Sequence, residues 1–66
     1  MRLKLIEVRK KKKLTQEQMA QKLNISRTTY TGYENGNFSP SLEKALEIKK
    51  ILGYKNDDIF LISNVG

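Results

Sequence analysis

Two helix-capping patterns that follow each other closely limit the fold of this chain more than any other feature. Thr15 and Gln18 stand at the spacing of a capping box, in which each side chain accepts a hydrogen bond from the other residue's backbone N–H. Asn24 tolerates the left-handed conformation in which helices often end, and Ser26 is a favourable N-cap for the next helix. The sequence therefore predicts two short helices joined by a three-residue turn within residues 15–36.

Hydrophobic spacing predicts which helix faces are buried in and before this two-helix unit. A first helix is expected over residues 3–12, where Leu5, Val8 and Arg9 fall on one stripe at i, i+3 and i+4. In the two-helix unit, the side chains expected to face inward are Met19, Ala20, Leu23, Tyr30 and Tyr33.

Two further helices are expected after Gly36. Ser39-Pro40 combines an N-cap with proline at the first helical position, which predicts a fourth helix over residues 40–52. The residues expected to be buried there are Leu42, Ala45, Ile48 and Leu52. Asn56-Asp57-Asp58 predicts a brief fifth helix. We therefore expect an all-α, compact five-helix fold in one domain over residues 1–66.

Composition argues against catalysis and against membrane insertion. The 66 residues include no Cys and no His, which removes disulfides, thiolate metal sites, the commonest general base and the commonest metal ligand. We expect no enzyme activity, no metal, no cofactor and no small-molecule ligand. No apolar run approaches ~18 residues, and charges interrupt the first seven residues, so neither a membrane span nor a secretory signal is expected. These features predict a soluble, cytoplasmic protein.

Positive charge is concentrated in the first part of the chain. The net charge is +6; residues 1–27 carry nine basic and two acidic residues, whereas residues 28–66 carry four and five. The basic half is suited to attract a polyanion, or it forms a solvated surface that keeps the protein soluble. In the same way, Lys10 to Lys13 either line a phosphate track or form a solvated helix end.

The third helix has an unusual outward face. The polar side chains left to point away from the core are Arg27, Thr28, Thr29 and Thr31. Threonine is a poor choice for an exposed helix because β-branching lowers helix propensity. Contact with base edges in the DNA major groove, including thymine methyl groups, explains this choice. The alternative is a weak helix that is stabilised only by packing.

Three spaced motifs carry a family resemblance: LTQEQMAQKL at residues 14–23, ENG at 34–36 and PSL at 40–42. Over about residues 3–60 the chain resembles the phage-repressor-like (lambda repressor/Cro, XRE-type) helix-turn-helix family. The resemblance implies five helices, with the third helix in the major groove of double-stranded DNA and a two-fold dimer on a palindromic operator. It also implies a sequence-specific transcriptional regulator, with repression as the expected mode.

The resemblance further implies roles for individual residues. Base edges are expected to be contacted by Arg27, Thr28 and Thr31, and phosphates by Gln16 and Asn35, with Thr29 beside the DNA backbone. Lys10 and Lys13 are added to the expected phosphate contacts because of their charge, not because of the resemblance. Gly32 falls where some relatives carry a longer base-contacting side chain. Arg9 and Glu34 match a family ion pair, and an arginine on an apolar stripe independently requires a buried partner.

The last residues of the chain suggest a contact between two copies. Apolar side chains are dense near the end, and we expect part of this tail to form a homodimer interface: Ile59, Phe60, Leu61 and Ile62, with Val65. Two other functions remain open. One is a protein-interaction module of the antitoxin or anti-repressor type, and the other is a membrane-surface peptide built on the basic first helix.

Overall fold

Four α-helices and one short 3₁₀ helix make up the computed structural model, which describes residues 1–62. The helices are α1 (Leu3–Lys11), α2 (Gln16–Leu23), α3 (Arg27–Asn35) and α4 (Leu42–Leu52), followed by the 3₁₀ helix (Asp57–Phe60). The predicted all-α class is confirmed, since no strand occurs within residues 1–62. The prediction of five α-helices is corrected to four: the fifth segment has only four residues, and Leu61 after it is extended (φ −73°, ψ 139°).

The predicted turn between α2 and α3 is present. Thr15 Oγ1 accepts from the Gln18 amide at 3.0 Å, and Gln18 Oε1 accepts from the Thr15 amide at 2.9 Å, which completes the capping box. Asn24 ends α2 in the left-handed conformation (φ 57°), and Ser26 Oγ accepts from the Thr29 amide at 3.1 Å. Three residues therefore separate the two helices, as the caps predicted.

The start of α4 differs from the prediction. Its N-cap is Ser41, whose Oγ accepts from the Lys44 amide at 3.2 Å, and not Ser39. The Ser39 hydroxyl instead accepts from Arg2 Nη2 at 3.2 Å. With the helix starting two residues later, Leu42 lies in its first turn and is 78% exposed, so the prediction that Leu42 is buried is wrong.

One core joins all the helices. Its buried apolar side chains are Leu5, Val8, Met19, Ala20, Leu23, Tyr30, Tyr33, Ile48, Leu52 and Ile59. The helix α2 packs on α3, and α1 packs on both α3 and the 3₁₀ helix. The Tyr30 and Tyr33 rings meet edge to face, with centroids 6.2 Å apart. They anchor the inner face of α3, and this anchoring leaves its outer face available.

Arg2 connects several distant parts of the chain through buried hydrogen bonds, a role that the sequence did not predict. Its guanidinium donates to three carbonyl oxygens: those of Tyr33 (2.6 Å), Phe38 (2.8 Å) and Phe60 (3.0 Å). Its backbone N–H also donates to the Glu34 carbonyl at 2.7 Å. The residue is 4% exposed. Arg2 therefore holds the end of α3, the loop after it and the 3₁₀ helix together.

The predicted dimer tail divides into buried and exposed parts. Ile59 is completely buried and belongs to the core of its own chain, so its prediction as a dimer contact is corrected. Phe60 is partly buried against the same core. Leu61 and Ile62 are 66% and 47% exposed. Val65 and the rest of the predicted tail beyond Ile62 lie outside the described residues.

Candidate nucleic-acid interface

Two adjoining depressions bring together most of the residues that the sequence singled out, and Arg27 lines both of them. The first depression also contains Lys10, Lys13 and Gln16. The second runs along α3, and the predicted residues in it are Thr28, Thr31 and Asn35. Seven of the eight residues predicted to contact DNA therefore lie on one continuous surface.

The first depression is suited to an anion. The N-terminus of α2 opens beside it, with Thr15 and Gln16 among its lining residues. A helix N-terminus presents unpaired backbone N–H groups and a partial positive charge. Lys10 and Lys13 add positive charge from the end of α1 and the turn that follows, and Arg27 adds a third cation, against the single carboxylate of Glu17. This combination of donors and cations matches the chemistry of a phosphate site.

Beneath this surface lies the Arg9–Glu34 ion pair. Arg9 Nε donates to Glu34 Oε2 at 2.6 Å, and Arg9 Nη2 reaches Oε1 at 3.4 Å. The Arg9 and Glu34 residues are 7% and 1% exposed. Arg9 Nη1 also donates to the Leu14 carbonyl at 2.7 Å, in the segment between α1 and α2. The pair therefore fixes α3 against both α1 and the start of α2.

Gln16 connects this buried pair to the surface. Its Nε2 donates to Glu34 Oε1 at 2.9 Å. Its Oε1 accepts a long hydrogen bond, 3.5 Å, from the Thr31 hydroxyl on α3. Because both ends of the amide are held, the orientation of Gln16 depends on the Glu34 carboxylate. The carboxylate in turn is held by Arg9.

The Tyr30 hydroxyl is buried beside the same pair. It makes no hydrogen bond within the described residues. Burial, reinforced by the adjacent Glu34 carboxylate, raises the pKa of this hydroxyl far above its ordinary value. Tyr30 therefore stays neutral and serves packing, whereas the charges at this point of the core are those of Arg9 and Glu34.

Thr29 is placed differently from the other predicted DNA contacts. Its hydroxyl lies 2.9 Å from Ser26 Oγ, and its amide donates to the same oxygen. Thr29 lines neither of the two depressions just described. Its position is in the first turn of α3, beside the N-cap.

Phe38 is a member of this surface that was not among the predicted DNA contacts; in the sequence, packing on the core was the favoured interpretation of this residue. Its ring lies over the Cα of Gly32 in the middle of α3, and it is 51% exposed. It lines the second depression together with Thr28 and Thr31. The sequence does carry one sign of this contact, which is Gly32. A glycine inside a helix destabilises the helix by about 0.5–1 kcal/mol relative to alanine, so its presence there requires a structural reason.

No helix within residues 1–62 has both the length and the apolar character needed to cross a bilayer. The basic helix α1 has nine residues, and its apolar side packs in the core of the protein.

Comparison with known proteins gives the family. The model of the helix-turn-helix family matches residues 5–59. An uncharacterized HTH-type transcriptional regulator of Methanothermobacter thermautotrophicus is 39% identical over 67 residues, which cover 100% of this chain and 97% of that protein. Another from Methanocaldococcus jannaschii is 48% identical over 48 residues, 73% of each chain. A third, from Bacillus subtilis, is 47% identical over 49 residues, which are 74% of this chain and 42% of that protein.

No solved structure matches the chain significantly. The capped two-helix unit, its polar outer surface and these relatives agree: the chain belongs to the helix-turn-helix family of transcriptional regulators.

Proposed function

We propose that this regulator binds double-stranded DNA sequence-specifically, as a dimer on a palindromic operator, and represses transcription by occluding a promoter. The observation that supports the proposal best is the continuous surface on which Arg27 joins a cationic depression to the threonine face of α3. Phosphate contacts position a protein on DNA, whereas contacts to base edges give specificity. The two depressions correspond to these two tasks.

The phosphate contacts are assigned to the first depression and to the end of α3. Lys10, Lys13 and Gln16 surround the N-terminus of α2, and Asn35 lies at the last residue of α3. Two anchor points on either side of α3 fix both the position and the direction of this helix in the groove. Thr29 is assigned a supporting contact to the backbone from the first turn of α3.

The base contacts are assigned to the outward face of α3. An arginine binds the O6 and N7 atoms of guanine with two hydrogen bonds, and Arg27 is exposed at the first residue of the helix. Thr28 and Thr31 each offer a hydroxyl that donates or accepts and a methyl that packs on thymine. The Gln16 amide limits the rotation of the Thr31 hydroxyl, which favours one hydrogen-bonding direction.

The dimer is assigned to the apolar side chains near the end of the described chain. Leu61 and Ile62 are exposed, and an apolar groove between α4 and the 3₁₀ helix is lined by Leu42, Leu46 and Phe60. Large apolar side chains exposed together mark association surfaces in small soluble proteins. A second copy of the chain is the proposed occupant, because a palindromic operator requires two-fold symmetry.

Selection of bound sequences from a randomised duplex pool tests this function. The experiment is done at near-physiological salt, where non-specific attraction to phosphates is weakened. The expected result is a two-fold symmetric motif with half-sites about one helical turn apart. A pool without any enriched motif would refute sequence-specific binding and favour the protein-interaction function.

Two variants refine the result. Arg27→Ala is expected to lose about 1–3 kcal/mol of binding free energy at one base pair of each half-site and to relax the preference there. Lys55→Ala is a matched control, because this exposed cation lies outside both depressions. An equal loss on all sequences for Arg27→Ala would assign Arg27 to phosphate contact alone.

A further inference from the structure

The ring of Phe38 occupies the place that a side chain at position 32 would otherwise take. A Cβ atom built on Gly32 would lie 2.1 Å from Phe38 Cδ2 and 2.5 Å from Cε2. Atoms that are not bonded to each other do not approach so closely. Gly32 therefore has to lack a side chain for the ring to lie against the helix.

The backbone of Phe38 is held firmly on both sides. Its N–H donates to the Gly32 carbonyl at 3.2 Å, and its carbonyl accepts from Arg2 Nη1 at 2.8 Å. The loop that follows α3 is therefore fixed, and the ring is directed across the middle of α3. This position continues the face formed by Thr28 and Thr31, since all three residues line the same depression.

Packing within the chain does not account for the ring. Phe38 is 51% exposed and lies outside the hydrophobic core. Leaving an aromatic side chain half-exposed forgoes much of the free energy that its burial would provide. The ring is instead an apolar element on a surface whose other members, Arg27 and the two threonines among them, carry hydrogen-bonding groups.

We propose that Phe38 is a specificity-determining residue that packs on the 5-methyl group of a thymine in the major groove. The inference rests on the proposed function, and it adds a contact that belongs to the loop rather than to α3. The thymine methyl is the apolar group that base pairs display in the major groove, and aromatic carbon packs favourably on it. The Gly32–Phe38 pair thus supplies an apolar contact at the helix position where a side chain is absent.

Replacement of thymine by uracil removes this methyl group and nothing else. In the selected duplex, each thymine is changed to deoxyuridine, one position at a time, and the Kd is measured for the full chain and for Phe38→Ala. For the native chain, we expect a roughly three- to tenfold loss of affinity at the thymine that Phe38 contacts in each half-site, in addition to any loss at thymines that contact Thr28 or Thr31. Phe38→Ala binds the thymine duplex more weakly and does not distinguish thymine from uracil at that position.

Two further variants separate Phe38 from its neighbours. Thr28→Ser removes the threonine methyl and keeps the hydroxyl, and it is expected to retain the uracil effect assigned to Phe38. Gly32→Ala keeps the phenylalanine but forces the ring away from the helix, and it is expected to lose that effect. If Phe38→Ala does not fold, as judged by thermal melting, Gly32→Ala is compared with the native chain instead. Loss of the uracil effect in Gly32→Ala then supports the inference, and its retention overturns it.

The outcomes distinguish the two proposals. If the native chain selects no motif, the proposed function fails and this inference fails with it. If a motif is selected but the folded Phe38→Ala variant keeps every uracil effect, only this inference is overturned. Equal weakening of all duplexes by Phe38→Ala, thymine-containing or not, also overturns it, since that result assigns the ring to support of the loop.

Discussion

The Arg9–Glu34 ion pair allows a quantitative prediction, because both residues are almost completely removed from water. The change is Glu34→Gln, which keeps the shape of the side chain and removes its charge. Glu34 accepts from Arg9 Nε at 2.6 Å on one oxygen and from Gln16 Nε2 at 2.9 Å on the other. A glutamine turns one of these acceptors into an NH₂ group that faces a donor, and it leaves the Arg9 charge without a counter-ion.

The expected cost is large relative to the stability of so small a domain. Breaking a buried pair by removing one partner costs about 3–5 kcal/mol. A chain of 66 residues has a total free energy of unfolding of roughly 3–10 kcal/mol, at about 0.05–0.15 kcal/mol per residue. Glu34→Gln is therefore expected to remove at least about 30% of the free energy of unfolding, and to lower the Tm by more than about 10 °C.

Urea and thermal unfolding followed by circular dichroism measure this effect. The matched control is Glu7→Gln, because Glu7 and Lys4 form a surface pair at 3.7 Å with side chains 52% and 40% exposed. Exposed pairs contribute about 0–1 kcal/mol. A Glu34→Gln variant that loses no more stability than Glu7→Gln would refute the argument, since it would mean that water screens the Arg9 charge.

A double variant separates stability from DNA binding. In Arg9→Met/Glu34→Leu the charges of this pair are both removed, and replacing a buried pair with apolar residues is often neutral or stabilising. We expect the double variant to be more stable than Glu34→Gln. It should nevertheless bind DNA more weakly than the native chain, because Gln16 has lost the carboxylate that orients it.

Three further variants test separate parts of the structure. Thr15→Ala removes the capping box that Thr15 forms with Gln18, and a loss of about 1 kcal/mol in urea unfolding is expected; an unchanged midpoint would count against the cap. Arg2→Lys replaces a planar group that reaches three carbonyls with a single ammonium, and we expect a loss of about 1–3 kcal/mol by the same assay. Lys13→Ala should reduce the slope of log K against log salt concentration by about 0.9, as for one lost phosphate contact, whereas Lys55→Ala should leave the slope unchanged; equal slopes for both variants would remove Lys13 from the interface.

The parts of the fold that depend on neighbours in sequence were predictable. The capping box at Thr15 and the left-handed end at Asn24 need only residues within one turn, so their signals are complete in the local sequence. The outward face of α3 follows from helical spacing once Tyr30 and Tyr33 are taken as buried. The Arg9–Glu34 pair was also accessible, because a charged residue on an apolar stripe requires a partner.

The parts that depend on distant partners were not predictable. Ser39 and Ser41 are both good N-caps, and the choice between them depends on Arg2, which engages the Ser39 hydroxyl from 37 positions earlier in the chain. Nothing in the sequence around Arg2 indicates burial, since its partners are mainly backbone carbonyls and not an acidic side chain. Phe38 was assigned to packing rather than to the site for a similar reason: its place on this surface depends on the way the loop returns to Gly32.

The contacts of Arg2 also affect how the domain forms during protein synthesis. Arg2 Nε bonds to the carbonyl of Phe60, so two groups 58 positions apart have to exist before the core closes. At about 5–20 residues per second, a ribosome needs roughly 3–12 s to add the intervening residues. Small helical domains fold in microseconds to milliseconds, far faster than this interval. The apolar side of α1, including Leu5, therefore cannot complete its packing until the 3₁₀ helix has been synthesised. The rate of translation, rather than the rate of folding, sets the time at which the complete core can form.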